Sequence, residues 1–180
     1  MPQPLIKLLL KQNILKYGDF TLRSGIKSNY YCDIKEALGH PKILNLIRNE
    51  LVKRIPKNST CIAGSGYGGI TLASLVAHTM KLPLVLVRDK VKDHGTKKLI
   101  DGYIPTNKDV VCIIDDVYTT GSSITDAIEK LSPLKVRLAK PVVVLNRSKD
   151  REVISIITDK DLIKNSLHSP TKHVVYPQTV

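Results

Sequence analysis

Tryptophan is missing, phenylalanine occurs once, and aromatic residues make up only 4% of the 180 positions. A core stacked from rings is therefore excluded, and the 42% apolar fraction must pack as aliphatic side chains. Cysteine is scarce: Cys32, Cys61 and Cys112 have neither metal-ligand nor disulfide spacing. Cys61 and Cys112 sit inside apolar runs and read as small core residues, which suits reduced thiols and a cytoplasmic chain. No apolar run approaches the roughly 18 residues of a membrane span. The partly apolar start continues as an amphipathic pattern without a small-residue cleavage site, so no secretory signal is expected. Acids are few, 16 against 28 Lys and Arg, which leaves a net charge of +12. That balance favours anionic partners without choosing among phosphates, carboxylates, nucleic acid and a membrane surface. With 24% charged residues, ten glycines and ten prolines, neither disorder nor a fibrous repeat is indicated.

What is present is an alternation. Leu5, Leu8, Leu9, Leu10 and Ile14 follow helical spacing, with Gly18 as a plausible stop. Two short extended segments follow, at 20–23 and 30–34, and then a helix at 41–54. Aliphatic strands are expected at 61–63, 84–87, 110–114, 138–145 and 153–157, with helices at 70–80 and 123–131 between them. Continuous aliphatic strands alternating with helices predict an α/β domain, a mostly parallel sheet covered on both faces. The reading divides a single domain into an N-terminal helix and appended segment at 1–36, a core at 37–160 and a polar, weakly patterned tail at 161–180.

Ligands of such a sheet bind at the carboxyl ends of its strands. Two of the loops expected there compete as the chemical centre. Gly64, Gly66 and Gly69 satisfy G-x-G-x-x-G between a strand and a helix, and Asp89 lies twenty residues on, at the end of the next strand. A nicotinamide-dependent enzyme is one reading of that pattern, and a tight strand-to-helix turn is another. The loop at 115–123 is more specific. Asp115 and Asp116 follow a buried strand, and four hydroxyl residues, Thr119, Thr120, Ser122 and Ser123, surround Gly121 at the start of a helix. Hydroxyls and backbone N–H groups at a helix N-terminus cradle an anion, and paired carboxylates accept hydrogen bonds from a vicinal diol. The combination suits a sugar carrying two free hydroxyls and a terminal phosphate. One helix cap would need one Ser or Thr, and no G-x-x-x-x-G-K-[ST] P-loop occurs.

The segment 111–124 resembles the phosphoribosyl pyrophosphate signature of type I phosphoribosyltransferases. Three further segments, 20–31, 88–98 and 145–147, resemble the hood, the mobile catalytic loop and the base-binding strand end of orotate phosphoribosyltransferases. The resemblance implies the type I fold with a small N-terminal hood, Mg²⁺ carried mainly by the diphosphate and water rather than by direct protein ligands, and a homodimer sharing its active sites. By the same resemblance Asp115 and Asp116 would hold the ribose hydroxyls, with Val117 and Tyr118 alongside. Thr119, Thr120, Gly121, Ser122 and Ser123 would wrap the 5′-phosphate. Arg23, Tyr67, Gly68, Asp89 and Lys90 would face phosphoribosyl pyrophosphate, and Arg88, Lys92 and His94 would reach the diphosphate in the partner's site. Tyr31, Cys32, Thr119 and Arg147 would meet orotate, Arg147 through its carboxylate.

The chemistry agrees. An anionic diphosphate leaves a cationic, oxocarbenium-like ribose while an anionic base attacks, so fixed cations and Mg²⁺ are needed. Arg88, Lys90, Lys92, Lys97 and Lys98 stand against Asp89 and Asp93, five cations to two acids, a net of +3 before His94; Gly95 and Gly102 could act as hinges. His40, His78, His168 and His173 match no motif. Three positions depart from the family pattern: Asp89 replaces a frequent basic residue, Gly68 a lysine common in bacterial members, and Asn146 a frequent aspartate. A purine phosphoribosyltransferase and a nucleic-acid-binding regulator on the same fold remain as alternatives, although the chain has little spare length for an extra basic domain and nucleic acid is not the expected partner.

Overall fold

The computed structural model describes residues 3–21, 25, 27–89, 98–148 and 152–166. An opening helix, α1 (Gln3–Lys11), is followed by β1 (Leu15–Thr21) and β2 (Lys27–Cys32), which pair antiparallel as a separate two-stranded sheet. A short helix, α2 (Ile34–Leu38), and a longer one, α3 (Pro41–Val52), lead into the main alternation: β3 (Cys61–Ser65), α4 (Gly66–Met80), β4 (Leu84–Val87), β5 (Ile100–Gly102), β6 (Val110–Tyr118), α5 (Ser122–Leu131), β7 (Arg137–Leu138), β8 (Val142–Asn146), β9 (Ile154–Thr158) and α6 (Asp159–Ser166).

The main sheet runs β5-β4-β3-β6-β8-β9, with β7 also pairing β6. All pairings are parallel except β5 on β4. Both faces are covered, as the aliphatic strands require. Along β6 the alternation of side chains sends Cys112 and Ile114 to one core, shared with α1, α3 and α4. Val111 and Ile113 go to the other, against Ile124, Ala127 and Leu131 of α5. Helix α1 belongs to the first core, where Leu5, Ile6 and Leu9 are buried.

Several expected boundaries move for identifiable reasons. Helix α1 ends at Lys11, because Asn13 takes a left-handed φ of 53° and Ile14 N–H donates back to Leu9 O; Gly18 lies inside β1, at its register shift. Helix α4 starts at Gly66, four residues early. The expected strand at 138–145 is two strands, interrupted before Val142 by Pro141, whose missing N–H cannot join a ladder. The expected tail from 161 begins inside α6, which buries Leu162.

One difference governs the site. Asp115 and Asp116 do not follow their strand but lie within it. Pairing with β3 stops at Gly64↔Ile114, where β3 turns away into α4, yet β8 stays paired from Val142 to Asn146, so β6 continues to Tyr118. The acids therefore stand where β6 has lost one neighbour and kept the other. This is the switch point of a doubly wound sheet, where strand order reverses and a crevice opens.

Candidate active site

Two cavities meet at the acid pair. One, of ≈ 170 Å³, is lined by Tyr31, Cys32, Ile34 and Lys35 from the β2–α2 segment, by 115–124, and by Arg147. The other, of ≈ 480 Å³, is lined by 65–68, Asp89, Lys35, Asp115, Asp116, Ser122, Ser123 and Asp126.

Asp115 and Asp116 are 8% and 6% exposed. Asp116 N–H donates to Asp115 Oδ1 (2.8 Å), Val117 N–H to Asp116 Oδ1 (3.0 Å), and the Lys35 ammonium pairs with Asp116 Oδ2 (2.8 Å). Burial, and then the charge of Asp116, push the Asp115 carboxyl well above the ordinary carboxylate range. The pair is thus two close, buried acids, only partly compensated, that line both cavities.

Glycines make that geometry possible. A Cβ at Gly68 would sit 2.5 Å from Asp116 Cγ, and one at Gly64 would sit 2.5 Å from Gly69 O. The glycine run therefore lets α4 press against β3 and the acids, which accounts for it without a dinucleotide. Asp89, the would-be ribose acid of that reading, accepts a hydrogen bond from Ser65 Oγ (3.2 Å).

Beyond Tyr118 the chain turns through Thr119, Thr120 and Gly121. Gly121 has φ +79°, and a Cβ there would strike the Tyr118 ring at 2.8 Å. Helix α5 then opens with Ser122 and Ser123. Among the described residues no side chain caps it, no acid stands in its first turn, and Thr125 N–H donates to Gly121 O. Its leading N–H groups and hydroxyls face the cavities, as an anion cradle requires.

On the other flank, Arg147 N–H donates to Tyr118 O (2.8 Å), tying β8 to β6. Its Nη2 donates to Ser28 Oγ (3.1 Å), and its guanidinium lies 4.4 Å over the Tyr30 ring. The Tyr30 hydroxyl donates to Asp159 Oδ2 (2.7 Å). The buried Arg147 Nε has no hydrogen-bond partner among the described residues, which leaves a donor for a planar acceptor such as a carboxylate. Tyr31 packs its ring against Phe20, with centroids 5.6 Å apart. Burial pushes the Cys32 thiol up to about 12, so it acts as an apolar wall.

The expected residues thus converge in part. Asp115, Asp116, Val117, Tyr118, Thr119, Thr120, Gly121, Ser122 and Ser123 line one crevice with Tyr31, Cys32 and Arg147, while Tyr67 (89% exposed), Gly68 and Asp89 line the adjoining cavity. Arg88 stands apart, paired with Asp101 of β5. Arg23, Lys90, Lys92 and His94 lie outside the described residues. Lys35 was not foreseen: a lysine in a five-residue helix carries no pattern, and only the fold brings it to Asp116. Ser28, Tyr30 and Asp159, which steady Arg147, were equally invisible.

A switch-point crevice with paired acids and an open helix N-terminus is the architecture of a site for a phosphorylated sugar, and a family model described as a phosphoribosyl transferase domain matches residues 34–177. The chain is 37% identical over 172 residues to an orotate phosphoribosyltransferase of Methanosarcina mazei, covering 90% of this chain and 91% of that one. Among solved structures it resembles orotate phosphoribosyltransferase from Aeropyrum pernix (26% identity, TM-score 0.76, 89% of this chain and 98% of that one). It also resembles Leishmania donovani UMP synthase (28% identity, TM-score 0.75), covering 89% of this chain but spanning only 37% of that longer protein. The chain belongs to the orotate phosphoribosyltransferase family.

Proposed function

We propose that the protein transfers the phosphoribosyl group of 5-phosphoribosyl 1-diphosphate to orotate, giving orotidine 5′-monophosphate and diphosphate, a step toward UMP. The observation that carries this reading is the flanking of one acid pair by two unlike seats. On one side is the hydroxyl and N–H cradle of α5; on the other is Arg147 with an unpaired buried donor. The names of the relatives support the same substrate.

Asp115 and Asp116 accept hydrogen bonds from the ribose hydroxyls and place C1 at the junction of the two cavities. The α5 N-terminus takes the 5′-phosphate. Arg147 fixes orotate by its carboxylate, with the ring between Tyr31, Cys32 and Thr119. The diphosphate leaves into the wider cavity beside Tyr67, Gly68 and Asp89, with Arg23 and Lys90 also assigned to this substrate. In the reaction the C1–O bond to diphosphate breaks, the bond from C1 to the base nitrogen forms, and the base's ring proton goes to solvent. Holding both reactants in line supplies much of the acceleration. Negative charge set just below C1 stabilises the cationic sugar.

The site fits Mg²⁺ that arrives with substrate. Asp116 is already ion-paired with Lys35 at 2.8 Å, which makes it a poor direct ligand for the ion. The substrate diphosphate, with water, would mainly hold the ion, whose charge supports the leaving group. Among the described residues no helix is long and apolar enough to cross a membrane; with its reduced thiols the protein fits the cytoplasm. The basic surface answers two anionic substrates, and nucleic acid is not needed to explain it. The layout of a hood (1–36) and a core (37–160), carried on past 160 by α6, belongs to the same reading.

The direct test mixes protein, Mg²⁺, 5-phosphoribosyl 1-diphosphate and orotate. Orotidine monophosphate should form, whereas use of hypoxanthine or guanine with orotate ignored would overturn the base assignment. The homodimer with shared sites is tested by complementation. A variant lacking Lys92 and His94 and another lacking Asp115 and Asp116 should each be nearly inactive. Mixed and exchanged, they should regain activity toward half of the parent value per heterodimer. Continued inactivity after proven exchange would place Arg88, Lys92 and His94 in their own chain's site.

A further inference from the structure

Five residues line both cavities: Lys35, Asp115, Asp116, Ser122 and Ser123. Four have roles above. We propose that Lys35 is a positioning residue for 5-phosphoribosyl 1-diphosphate: its ammonium fixes the orientation of the Asp116 carboxylate and offsets the acid pair's charge where the anionic substrate enters.

The geometry is specific. Asp116 is held at both oxygens, Oδ1 by Val117 N–H and Oδ2 by Lys35. The Val117 bond spends one lone-pair position, while Oδ2 is ion-paired with Lys35 but accepts no hydrogen bond among the described residues, so the carboxylate is anchored and acceptor capacity remains for a diol. Lys35 rises from a firmly seated base. Asp33 caps α2 by accepting Glu36 N–H (3.1 Å), Asp33 N–H donates to Ile14 O (2.9 Å), and Ile34 and Ala37 are buried. Glu36, the acid next to Lys35 in sequence, is occupied by Lys16 at 2.7 Å, so Lys35 is left to Asp116. Its side chain is nevertheless 56% exposed, so the charge faces the mouth of the crevice and is not sealed behind it.

Without that cation the substrate would approach two buried carboxylates with phosphates of the same sign. Among the described residues lining the wider cavity, Lys35 is the single cation against Asp89, Asp115, Asp116 and Asp126. The groups acting on Lys35 are Asp116 of β6, Tyr31 of β2 and Asp33 at the start of α2, none of them from α3. Burial opposes its charge, but Asp116 outweighs burial and holds the ammonium above its usual range. In return, the Lys35 charge pulls the Asp115 carboxyl downward, against burial and the charge of Asp116.

The test compares Lys35→Met, Lys35→Gln and Lys35→Arg in the full chain, varying each substrate separately across pH. Lys35→Met and Lys35→Gln should raise KM for 5-phosphoribosyl 1-diphosphate by about tenfold or more and KM for orotate by less than about threefold. The acidic limb of kcat/KM for 5-phosphoribosyl 1-diphosphate should move to higher pH, because the Asp115 carboxyl then loses the charge that pulls it downward. Lys35→Arg should restore both. A structural role alone would lower the melting temperature and leave that limb in place. Unchanged KM and pH profile in Lys35→Met or Lys35→Gln would overturn the assignment. It rests on the sugar-binding reading of the acids. If Asp115→Asn with Asp116→Asn stays active, that reading falls; if that variant is dead while Lys35→Met behaves as the parent, only the Lys35 assignment falls.

Discussion

The two halves of the crevice are built by opposite means. The sugar side is one unbroken stretch, 115–123, paired by backbone to β8 and then wound into α5, so each side chain is placed by its immediate neighbours. The base side is assembled from distant segments: Tyr31 and Cys32 on the hood, Arg147 on β8, and Asp159 on α6 holding Tyr30 beneath the guanidinium. One half carries buried acids whose own burial works against them; the other carries a cation steadied by a ring and a hydroxyl. A site made locally tolerates little substitution but survives small shifts of the fold. A site made by docking depends on each remote partner for its aim.

The largest effect should come from the sugar side. Asp115→Asn with Asp116→Asn replaces two charged acceptors. At about 1.5–3 kcal/mol per hydrogen bond to a charged group, kcat/KM should fall by about 10²–10⁴-fold. Circular dichroism should show the fold kept, since neither acid anchors the hydrophobic core. Arg147→Ala comes next, with KM for orotate rising by about 10²-fold as a paired carboxylate loses its partner. Gly68→Ala probes the packing of α4 against the acid pair. Its Cβ would stand 2.5 Å from the Asp116 carboxylate, and kcat/KM for 5-phosphoribosyl 1-diphosphate should drop by about tenfold while orotate affinity holds. Tyr30→Phe should be smallest. It removes the bond to Asp159 but keeps the ring under Arg147, so KM for orotate should rise only about two- to fivefold.

Protonation separates activity from stability on the sugar side. The Asp115 carboxyl is raised by burial and by Asp116. Its contribution to stability is complete below the ordinary Asp range and is lost as pH rises through the raised folded value. Its acceptor function runs the other way. Between about pH 5 and 7, falling pH should therefore cost activity while easing the strain of the buried acid. Asp115→Asn should flatten that stability trend in thermal melts across the same range.

The same contrast decides what could be read in the sequence. The sugar half is contiguous, so two acids followed by four hydroxyls around Gly121 announce their chemistry in linear order, and the aliphatic strands announce the sheet. Even there the strand boundary was misplaced: β6 runs through the acids because β8 extends beyond β3, a pairing that no local pattern encodes. Strands β5 and β7, three and two residues long, carry too few positions for periodicity. Arg147 was legible only through family resemblance. Ser28, Tyr30 and Asp159 acquire meaning only when segments more than a hundred residues apart are brought together, and Lys35 only when α2 is laid against β6. The glycine run illustrates the converse: a pattern suited to a dinucleotide serves here to let a helix lie against a carboxylate.

The most direct test of two separately built halves is a crossed binding measurement. Calorimetric titration would give the affinities of orotate and 5-phosphoribosyl 1-diphosphate for the parent, Arg147→Ala and Asp115→Asn/Asp116→Asn, each ligand alone and in the presence of Mg²⁺. Arg147→Ala should lose orotate and keep 5-phosphoribosyl 1-diphosphate within about threefold, and the acid variant should do the reverse. Equal loss of both ligands in either variant would contradict the account, because it would make the crevice a single cooperative unit rather than a local sugar site beside a docked base site.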